Sequence, residues 1–175
     1  NMGKGEGVDQ GAGNPHNESG PDTAYFWKEV LAKDSILQLI ERFIFLKVDR
    51  DKKGKKTLIF PRYQQRRAVN RVLEDMKVNH TDSNYLIQHS AGSGKTNTIA
   101  WLAHSLVSLH DHEDRNVVDA VLIVTDRIVV DRQLQDAVQA IQHQPGVIKV
   151  MDEKPPSSDL AVALAGNTRI IETTI

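Results

Sequence analysis

The chain has 175 residues, a formal net charge of −1 and no cysteine. A chain of this length can bury one hydrophobic core. Its nearly balanced charge provides no global basic field that would attract nucleic acid. The absence of cysteine excludes disulfides, thiolate metal sites and a cysteine nucleophile. No apolar run approaches the roughly 20 residues of a membrane span and no apolar signal region opens the chain, so we expect a soluble cytoplasmic protein without a membrane partner.

Two segments are predicted to precede the main domain. Residues 1–21 contain six glycines and two prolines, and such a composition favours a flexible linker or strap because it buries too little apolar surface. Residues 22–56 are predicted to be a helical connector, as two short helices or one helix interrupted at Asp34-Ser35, a potential N-cap. Its polar turn at residues 49–57 carries four lysines, which either meet phosphates or are simply solvated.

Residues 57–175 show apolar patterns that alternate between helix and strand. Helices are predicted at 62–76, 97–109, 128–141 and 158–165, and strands at 85–88, 119–126, 146–152 and 169–175. The run at 119–126 is almost continuously apolar, which is typical of a strand covered on both faces. The alternation predicts an α/β fold with a parallel sheet. Because the chain stops in an apolar strand, we expect it to be part of a longer domain.

The sequence HSAGSGKT, residues 89–96 and here termed the glycine loop, lies between a predicted strand and a predicted helix. Its glycines let the backbone wrap around phosphates, and the amides of residues 93–96 are predicted to form an anion nest at the helix N-terminus. The Lys95 ammonium is expected to reach the β- and γ-phosphates, and the Thr96 hydroxyl to bind Mg²⁺. The alternative is a glycine turn that only joins strand to helix.

His89 occupies the position of the first glycine in the general phosphate-loop pattern. The helicase variant of this loop is looser at that position, so the departure lowers the specificity of the match without breaking it. We interpret His89 as a packing or hydrogen-bonding residue at the start of the loop and not as a catalytic base.

ATP hydrolysis also needs an acidic residue at the end of a neighbouring strand. Asp126 and the pair Asp152-Glu153 both end apolar runs. The Lys-Pro-Pro sequence after Glu153 does not match the acid box of helicases, and the strand ending at Asp126 faces nucleic acid in helicase-like sheets. We therefore expect the acid box to lie beyond Ile175.

The stretch FPRYQQRRAV, residues 60–69, begins the helix that precedes the glycine loop. A glutamine amide offers both a donor and an acceptor, which suit the N6 and N7 edge of adenine. Gln65 is the better candidate, with Arg62 beside it, and the alternative is a basic helix start that faces solvent. The predicted ATP-binding residues are Arg62, Gln65, Gly92, Ser93, Gly94, Lys95, Thr96 and Asn97, of which Lys95 and Thr96 are also predicted to be catalytic.

Together these stretches resemble the motor (R) subunit of type I restriction-modification enzymes, which is helicase-like and belongs to superfamily 2. Residues 11–44 look like the connector between nuclease and motor in that family, and PRYQQRRAV is similar to its Q-type motif. HSAGSGKTNTIAWLA is similar to motif I, LIVTDRIVVDRQLQDAV to the strand-to-helix motif that follows, and RIIETTI to the start of a Thr-Thr-Ile strand.

The resemblance implies a prokaryotic, cytoplasmic type I site-specific deoxyribonuclease that uses ATP and Mg²⁺ to translocate double-stranded DNA. It implies the methylation and specificity subunits as partners, and it identifies this chain as the connector and part of the first RecA-like motor domain, inactive by itself. Thr125, Asp126 and Arg127 would border the DNA, although Asp126-Arg127 could instead cap the next helix. Asp131 and Gln133 also match the family pattern.

Three other functions stay open: a stand-alone superfamily 2 DNA or RNA helicase, a small P-loop kinase, and a non-catalytic binding module. A nuclease motif upstream of this chain would exclude the first. The kinase needs an arginine-rich lid, whereas residues 109–117 contain one arginine. The histidines and acids of 109–117 suggest a metal site, but a solvated loop is the simpler interpretation.

Overall fold

The computed structural model describes residues 17–49, 54–125, 128–141, 148–150 and 157–174. The chain divides into two compact units, Asn1–Glu41 and Arg42–Ile175. Of the linker predicted for residues 1–21, residues 1–16 lie outside the described residues.

The first unit contains the interrupted helix that the sequence predicts. A π-helical turn, Phe26–Val30, is followed by helix α1, Lys33–Gln38. The predicted N-cap at Asp34-Ser35 is wrong, because α1 already begins before these residues. The Ser35 hydroxyl instead donates a hydrogen bond of 2.8 Å to the carbonyl of Val30, and it thereby links α1 to the preceding turn.

The second unit contains an antiparallel hairpin and a parallel sheet, with strand orders β1-β2 and β3-β5-β4. The strands are β1 (Phe45–Asp49), β2 (Lys55–Ile59), β3 (Val121–Thr125), β4 (Ile148–Val150) and β5 (Ile170–Thr174). The helices are α2 (Tyr63–Asn79), α3 (Lys95–Val107), α4 (Ile128–Ile141) and α5 (Ser157–Ala165). The predicted α/β class with a parallel sheet is confirmed.

The hairpin was not predicted as strands. Its pairing runs from Phe45 opposite Ile59 to Asp49 opposite Lys55, and Gly54 adopts a left-handed φ of 73° before β2 begins. The polar composition of residues 49–57 marks the turn correctly. However, the flanking strands lack a regular apolar alternation, because most of their side chains are exposed.

In the parallel sheet, β5 is the central strand and pairs with both β3 and β4. Helices α3 and α4 pack against each other and against β3 and β5. The expectation that the run at 119–126 is covered on both faces is wrong for the described part of the chain, since Leu122 and Val124 are 44% and 49% exposed while Ile123 between them is buried. One face of β3 therefore meets the core and the other is open.

Helices α2 and α3 bury different kinds of residue. Helix α2 buries Val69, Val72, Leu73 and Met76, as the apolar spacing indicates. Helix α3 begins and ends two residues earlier than predicted and does not bury Ile99. The buried residues of α3 are its large aromatic residue and small residues around it: Thr98, Ala100, Trp101, Ala103 and Ser105.

The predicted strand at 85–88 is wrong. Residues 82–90 have no regular secondary structure, and the Leu86 side chain is 94% exposed. A short apolar run becomes a strand only when a neighbouring strand satisfies its backbone and packs against its side chains. Within the described ranges, no strand pairs with this run.

Trp101 anchors α3 to the start of the hairpin. Its side chain is completely buried, and its indole N–H donates a hydrogen bond of 3.0 Å to the carbonyl of Phe43. The rings of Phe43 and Phe45 lie 5.7 and 6.0 Å from the Trp101 ring, in tilted and edge-to-face arrangements. Such pairs satisfy the polar end of a buried tryptophan and add to its hydrophobic contribution.

Arg169 anchors the other end of α3. Its guanidinium donates hydrogen bonds of 2.8 Å to the carbonyl of Val107 and 3.1 Å to that of Val118. Val107 ends α3, and Arg169 immediately precedes β5. The carboxyl end of α3 therefore lies beside the amino ends of β3 and β5.

The loop after α3 is organised around Asp111. Its carboxylate accepts hydrogen bonds from the amides of Glu113 and Arg115 at 2.8 and 3.0 Å, and it forms an ion pair of 2.9 Å with the Arg115 guanidinium. The hydrogen bond from the Arg115 amide contributes most to lowering the pKa of Asp111 from 3.8 to about 2. Residues 112–116 are exposed, and within the described ranges no group of three histidine or acidic side chains is placed to hold a metal ion.

Replacing Trp101 with phenylalanine is expected to destabilise the second unit by about 1–3 kcal/mol, because the change leaves the Phe43 carbonyl without its buried donor and opens a cavity. Urea unfolding of the protein and of the variant measures this difference. The control is Trp27→Phe, at a half-exposed position. Equal effects of the two substitutions would contradict the anchoring role.

Asp111→Asn is expected to destabilise the protein at pH 7 and to have a smaller effect in acid. A carboxyl whose pKa is lower in the folded state stabilises the fold above its unfolded pKa, near 3.9, and loses that contribution as pH falls through its folded pKa. The difference in melting temperature between protein and variant should therefore shrink between about pH 4 and about pH 2. Asp119→Asn, at an exposed position, is the control, and a difference independent of pH would disprove this account.

Candidate nucleotide-binding site

The glycine loop depends on two residues in the left-handed region of backbone space. Gly92 has a φ of 71° and Gly94 has a φ of 87°. A side chain at either position would strain the backbone, whereas glycine adopts such angles readily. Gly94 is also the N-cap of α3, so the second left-handed residue directs the chain into the helix.

Ser93, between the two glycines, closes the loop on itself. Its side chain is buried, and its hydroxyl donates a hydrogen bond of 2.7 Å to the carbonyl of Ser90. The Ser93 amide donates to the same carbonyl at 3.3 Å. In the predicted anion nest of residues 93–96, this amide is therefore used within the loop, and the amides that follow it are the ones that can face an anion.

Those following amides belong to the first turn of α3. The first helical hydrogen bond runs from the Thr98 amide to the carbonyl of Gly94, so the earlier amides of the helix have no acceptor within it. They lie at the positive end of the helix dipole, which favours a negatively charged group. The start of α3 thus has the geometry of an anion-binding site.

Lys95 adds a mobile positive charge to this helix end. Its side chain is exposed, and its ammonium donates hydrogen bonds of 3.2 Å to the carbonyl of His89 and 3.1 Å to that of Ser90. The ammonium therefore lies over the backbone of the glycine loop. His89 contributes its backbone carbonyl to this arrangement, and the role of its side chain stays a prediction.

Thr96 and Asn97 follow Lys95 in the first turn of α3, and both are half-buried. This position places their side chains at the positive end of the helix, beside the exposed amides. The roles predicted for them, Mg²⁺ coordination by the Thr96 hydroxyl above all, stay predictions.

Gln65 joins the start of α2 to the glycine loop. Its side chain is 3% exposed, and its amide oxygen accepts a hydrogen bond of 2.8 Å from the backbone N–H of Arg62. Its amide nitrogen donates to the carbonyls of Ser93 at 3.3 Å and Gly94 at 2.9 Å. The fold thus brings together the two stretches that the sequence predicts to share one nucleotide, and contact of Gln65 or of the exposed Arg62 with adenine stays a prediction.

Gly94 is constrained by this contact as well as by its backbone angle. A Cβ atom at Gly94 would lie 2.5 Å from the amide nitrogen of Gln65. At Gly92, by contrast, a Cβ atom would meet nothing within 4 Å. The sequence pattern alone does not distinguish these two glycines, whereas the tertiary structure does.

The residues predicted to border DNA lie largely outside the described part of the chain. Thr125 ends β3 and is half-buried. Asp126 and Arg127 lie outside the described residues, as do Asp152-Glu153, and their predicted roles are untested. Gln133 is exposed on α4.

One carboxylate was not singled out by the sequence analysis. Glu172 is completely buried on the central strand β5, where the register places it between Ile123 and Val150. The signal that could have identified it is a single acidic residue within an otherwise apolar run.

A surface concavity lies beside the parallel sheet. It is lined by Asp119, Ala120, Leu164, Gly166, Asn167, Thr168 and Arg169. Asp119 and Ala120 precede β3, Leu164 lies in the last turn of α5, and residues 166–169 join α5 to β5, so the concavity is at the amino ends of β3 and β5. Ligands of open α/β sheets bind at the carboxyl ends, so the concavity is not at the usual place for a ligand.

A parallel α/β sheet with a glycine-containing loop at a helix N-terminus is typical of nucleotide-binding ATPases. The chain belongs to the SWI2/SNF2 ATPase family, whose sequence profile matches residues 64–175. The matched range begins one residue before Gln65 and includes the whole glycine loop.

The chain is also similar to a protein named as the endonuclease subunit of the type I restriction enzyme MjaVIIIP, from Methanocaldococcus jannaschii. The two are 34% identical over 119 residues, which cover 66% of this chain and 11% of the relative's length. The resemblance to type I restriction subunits is thereby confirmed. A comparison with solved structures found no significant match.

None of the helices within the described ranges combines the length and the apolar character that a transmembrane segment requires.

Gly94→Ala is expected to destabilise the protein more than Gly92→Ala. Both changes introduce roughly 1–2 kcal/mol of left-handed backbone strain, but only the methyl group at Gly94 also overlaps Gln65. Urea unfolding of the two variants side by side measures the difference. Equal destabilisation would mean that the contact with Gln65 does not restrict this position.

Proposed function

We propose that this chain contains the ATP-binding part of the DNA-translocating motor subunit of a type I restriction endonuclease. The observation that carries the proposal is the loop held by Gly92 and Gly94, which brings the Lys95 ammonium and the N-terminus of α3 to one site. Membership of an ATPase family and similarity to a protein named as a type I restriction subunit support it.

In this proposal, the triphosphate of ATP binds at the glycine loop. The first amides of α3 and the Lys95 ammonium would hold its phosphates. Residues 92–94 would form the backbone cradle, and Thr96 would coordinate Mg²⁺ with Asn97 beside it. When bound, ATP with Mg²⁺ supplies the free energy for movement along DNA.

The base of the nucleotide is proposed to lie towards the start of α2. The hydrogen bonds of Gln65 to the carbonyls of Ser93 and Gly94 hold this helix end beside the glycine loop. Arg62 is exposed there and is therefore available to a ligand.

Double-stranded DNA is proposed to pass along the carboxyl end of β3. Thr125 ends that strand, and Asp126 and Arg127 follow it in the sequence. An arginine at this place would contact phosphate and contribute affinity without reading sequence. The methylation and specificity subunits are the proposed partners, in the cytoplasm of a prokaryote, and the whole protein would act as an ATP-dependent type I site-specific deoxyribonuclease.

A stand-alone superfamily 2 helicase is the second candidate. It is favoured by the range of the family match, because residues 64–175 cover only the ATPase region and a motor without partners would match equally. Co-purification separates the two candidates. A type I restriction subunit assembles with methylation and specificity subunits, whereas a stand-alone helicase purifies without them.

Lys95→Ala in the full-length protein is expected to reduce ATP hydrolysis and ATP-driven translocation by about 100-fold or more, because a positioned cation at a phosphate site contributes on this order. DNA binding by the assembled complex should persist, since Lys95 lies at the nucleotide site. Lys77→Ala, at an exposed position in the last turn of α2, serves as the control. Normal ATP hydrolysis by the Lys95 variant would refute the assignment of the loop.

A further inference from the structure

Residues 55–71 are strongly basic in a chain whose overall charge is almost balanced. This segment comprises β2, the short link to α2 and the first half of α2, and it contains six lysine and arginine residues and no aspartate or glutamate. The whole chain has 22 basic and 23 acidic residues, so the remainder of the chain is acidic overall. Positive charge that is concentrated in one segment creates a local field although the net charge is −1.

The hairpin exposes three lysines. Lys55 and Lys56 lie on β2 and Lys47 lies on β1, and all three side chains are exposed. In the strand register, Lys47 is opposite Thr57. Lys55 is two residues before Thr57 and therefore shares the face of Lys47, whereas Lys56 lies on the other face. The hairpin thus has ammonium groups on both of its faces.

Helix α2 continues the exposed positive charge. Arg67 and Arg71 are four residues apart, which places them on one face of the helix about 6 Å apart along its axis, and both are exposed. The Tyr63 hydroxyl, one turn earlier, accepts a hydrogen bond of 3.4 Å from the Arg67 guanidinium, which lies 5.9 Å from the centre of the Tyr63 ring. Tyr63 therefore holds this guanidinium at the surface while its charge stays accessible.

These five cations are not neutralised by the protein. Among the described residues, no carboxylate forms an ion pair with Lys47, Lys55, Lys56, Arg67 or Arg71. A phosphate group that approaches them therefore has no intramolecular ion pair to break. Such a group would displace only water and loosely associated counterions, and the release of counterions from nucleic acid favours binding.

The distribution of the cations suits an extended polyanion. They lie on both faces of a hairpin and along one face of a helix instead of around one point, as a small anion would require. Double-stranded DNA carries one negative charge per ~1.7 Å of its axis. Contacts from lysine and arginine to its phosphates give affinity for any sequence, which a motor that moves along DNA needs.

We infer that Lys47, Lys55 and Lys56 of the hairpin and Arg67 and Arg71 of α2, here termed the basic strip, contact the phosphate backbone of double-stranded DNA. This inference rests on the proposed action on DNA, and it adds a second surface to the one proposed at the carboxyl end of β3. The basic strip provides affinity without sequence preference, and none of its residues belongs to the proposed ATP site.

The first test measures the affinity of the full-length protein for two duplexes of unrelated sequence, by fluorescence anisotropy, over a series of salt concentrations. One variant changes Lys47, Lys55 and Lys56 to glutamine, and a second changes Arg67 and Arg71 to glutamine. Each phosphate contact contributes about 0.9 to the slope of log Kd against log salt concentration. The slope is therefore expected to become less steep by about 2–3 in the first variant and by about 2 in the second, equally for both duplexes.

The matched control changes Lys28, Lys33 and Lys77 to glutamine. These lysines are also exposed, and this variant loses the same charge as the hairpin variant, but its slope is expected to stay unchanged. A further variant with arginine at the three hairpin positions retains the charge and is expected to keep the slope. All variants should melt close to the temperature of the unmodified protein, because the substituted side chains are at the surface.

The second test needs no variant. Lysines of the unmodified protein are acylated with and without duplex DNA, and the modified positions are identified by mass spectrometry. DNA is expected to protect Lys47, Lys55 and Lys56 from acylation and to leave Lys28 and Lys33 reactive.

An unchanged salt slope in either glutamine variant would overturn the inference for the element that carries the substitutions, as would equal acylation of the hairpin lysines with and without DNA. An equal change of slope in the control would also overturn it, because the slope would then report only the total charge of the protein. ATP hydrolysis without DNA separates this inference from the proposed function. If the unmodified protein did not hydrolyse ATP, the proposed function would fail, whereas the salt slopes would still decide whether the basic strip binds DNA.

Discussion

The close approach of the Gln65 amide to the backbone of Gly94 is the contact on which the candidate site depends. It joins the start of α2 to the start of α3 through a buried side chain, and it is possible only because Gly94 has no Cβ atom. At Gly94, the absence of a side chain and the hydrogen bond from Gln65 therefore depend on each other. A loop that must wrap around an anion needs a flexible backbone, and the same flexibility has to be limited by a partner outside the loop.

The second constraint is the position of α3, because the glycine loop leads directly into the N-terminus of this helix. Trp101 ties the helix to the hairpin, and Arg169 ties its last carbonyl to the amino end of β5. Both anchors are hydrogen bonds from side chains to backbone carbonyls. The two anchors therefore fix the position of the helix whose N-terminus carries the glycine loop.

Local patterns predicted much of this fold from the sequence. Helices α2 and α4 and the alternation of strands and helices after α3 follow from apolar spacing, because a helix with one strongly apolar face has few other ways to bury it. The failures have a common cause. Residues 85–88 look like a buried strand but lack a pairing partner among the described residues, and α3 leaves Ile99 exposed while it buries Trp101, which needs both space and a hydrogen-bond acceptor.

For the candidate site, the sequence by itself determined the residue types and the order in which they occur: the glycines, the lysine, the threonine and a glutamine at the head of a helix. Such a motif specifies local backbone chemistry, which neighbouring residues in the chain are sufficient to provide. The tertiary structure alone decided the relation between Gln65 and the carbonyls of Ser93 and Gly94. Residues 28 and 29 positions apart along the chain meet only when two helices pack together, and no local pattern encodes the direction of a side chain across that distance.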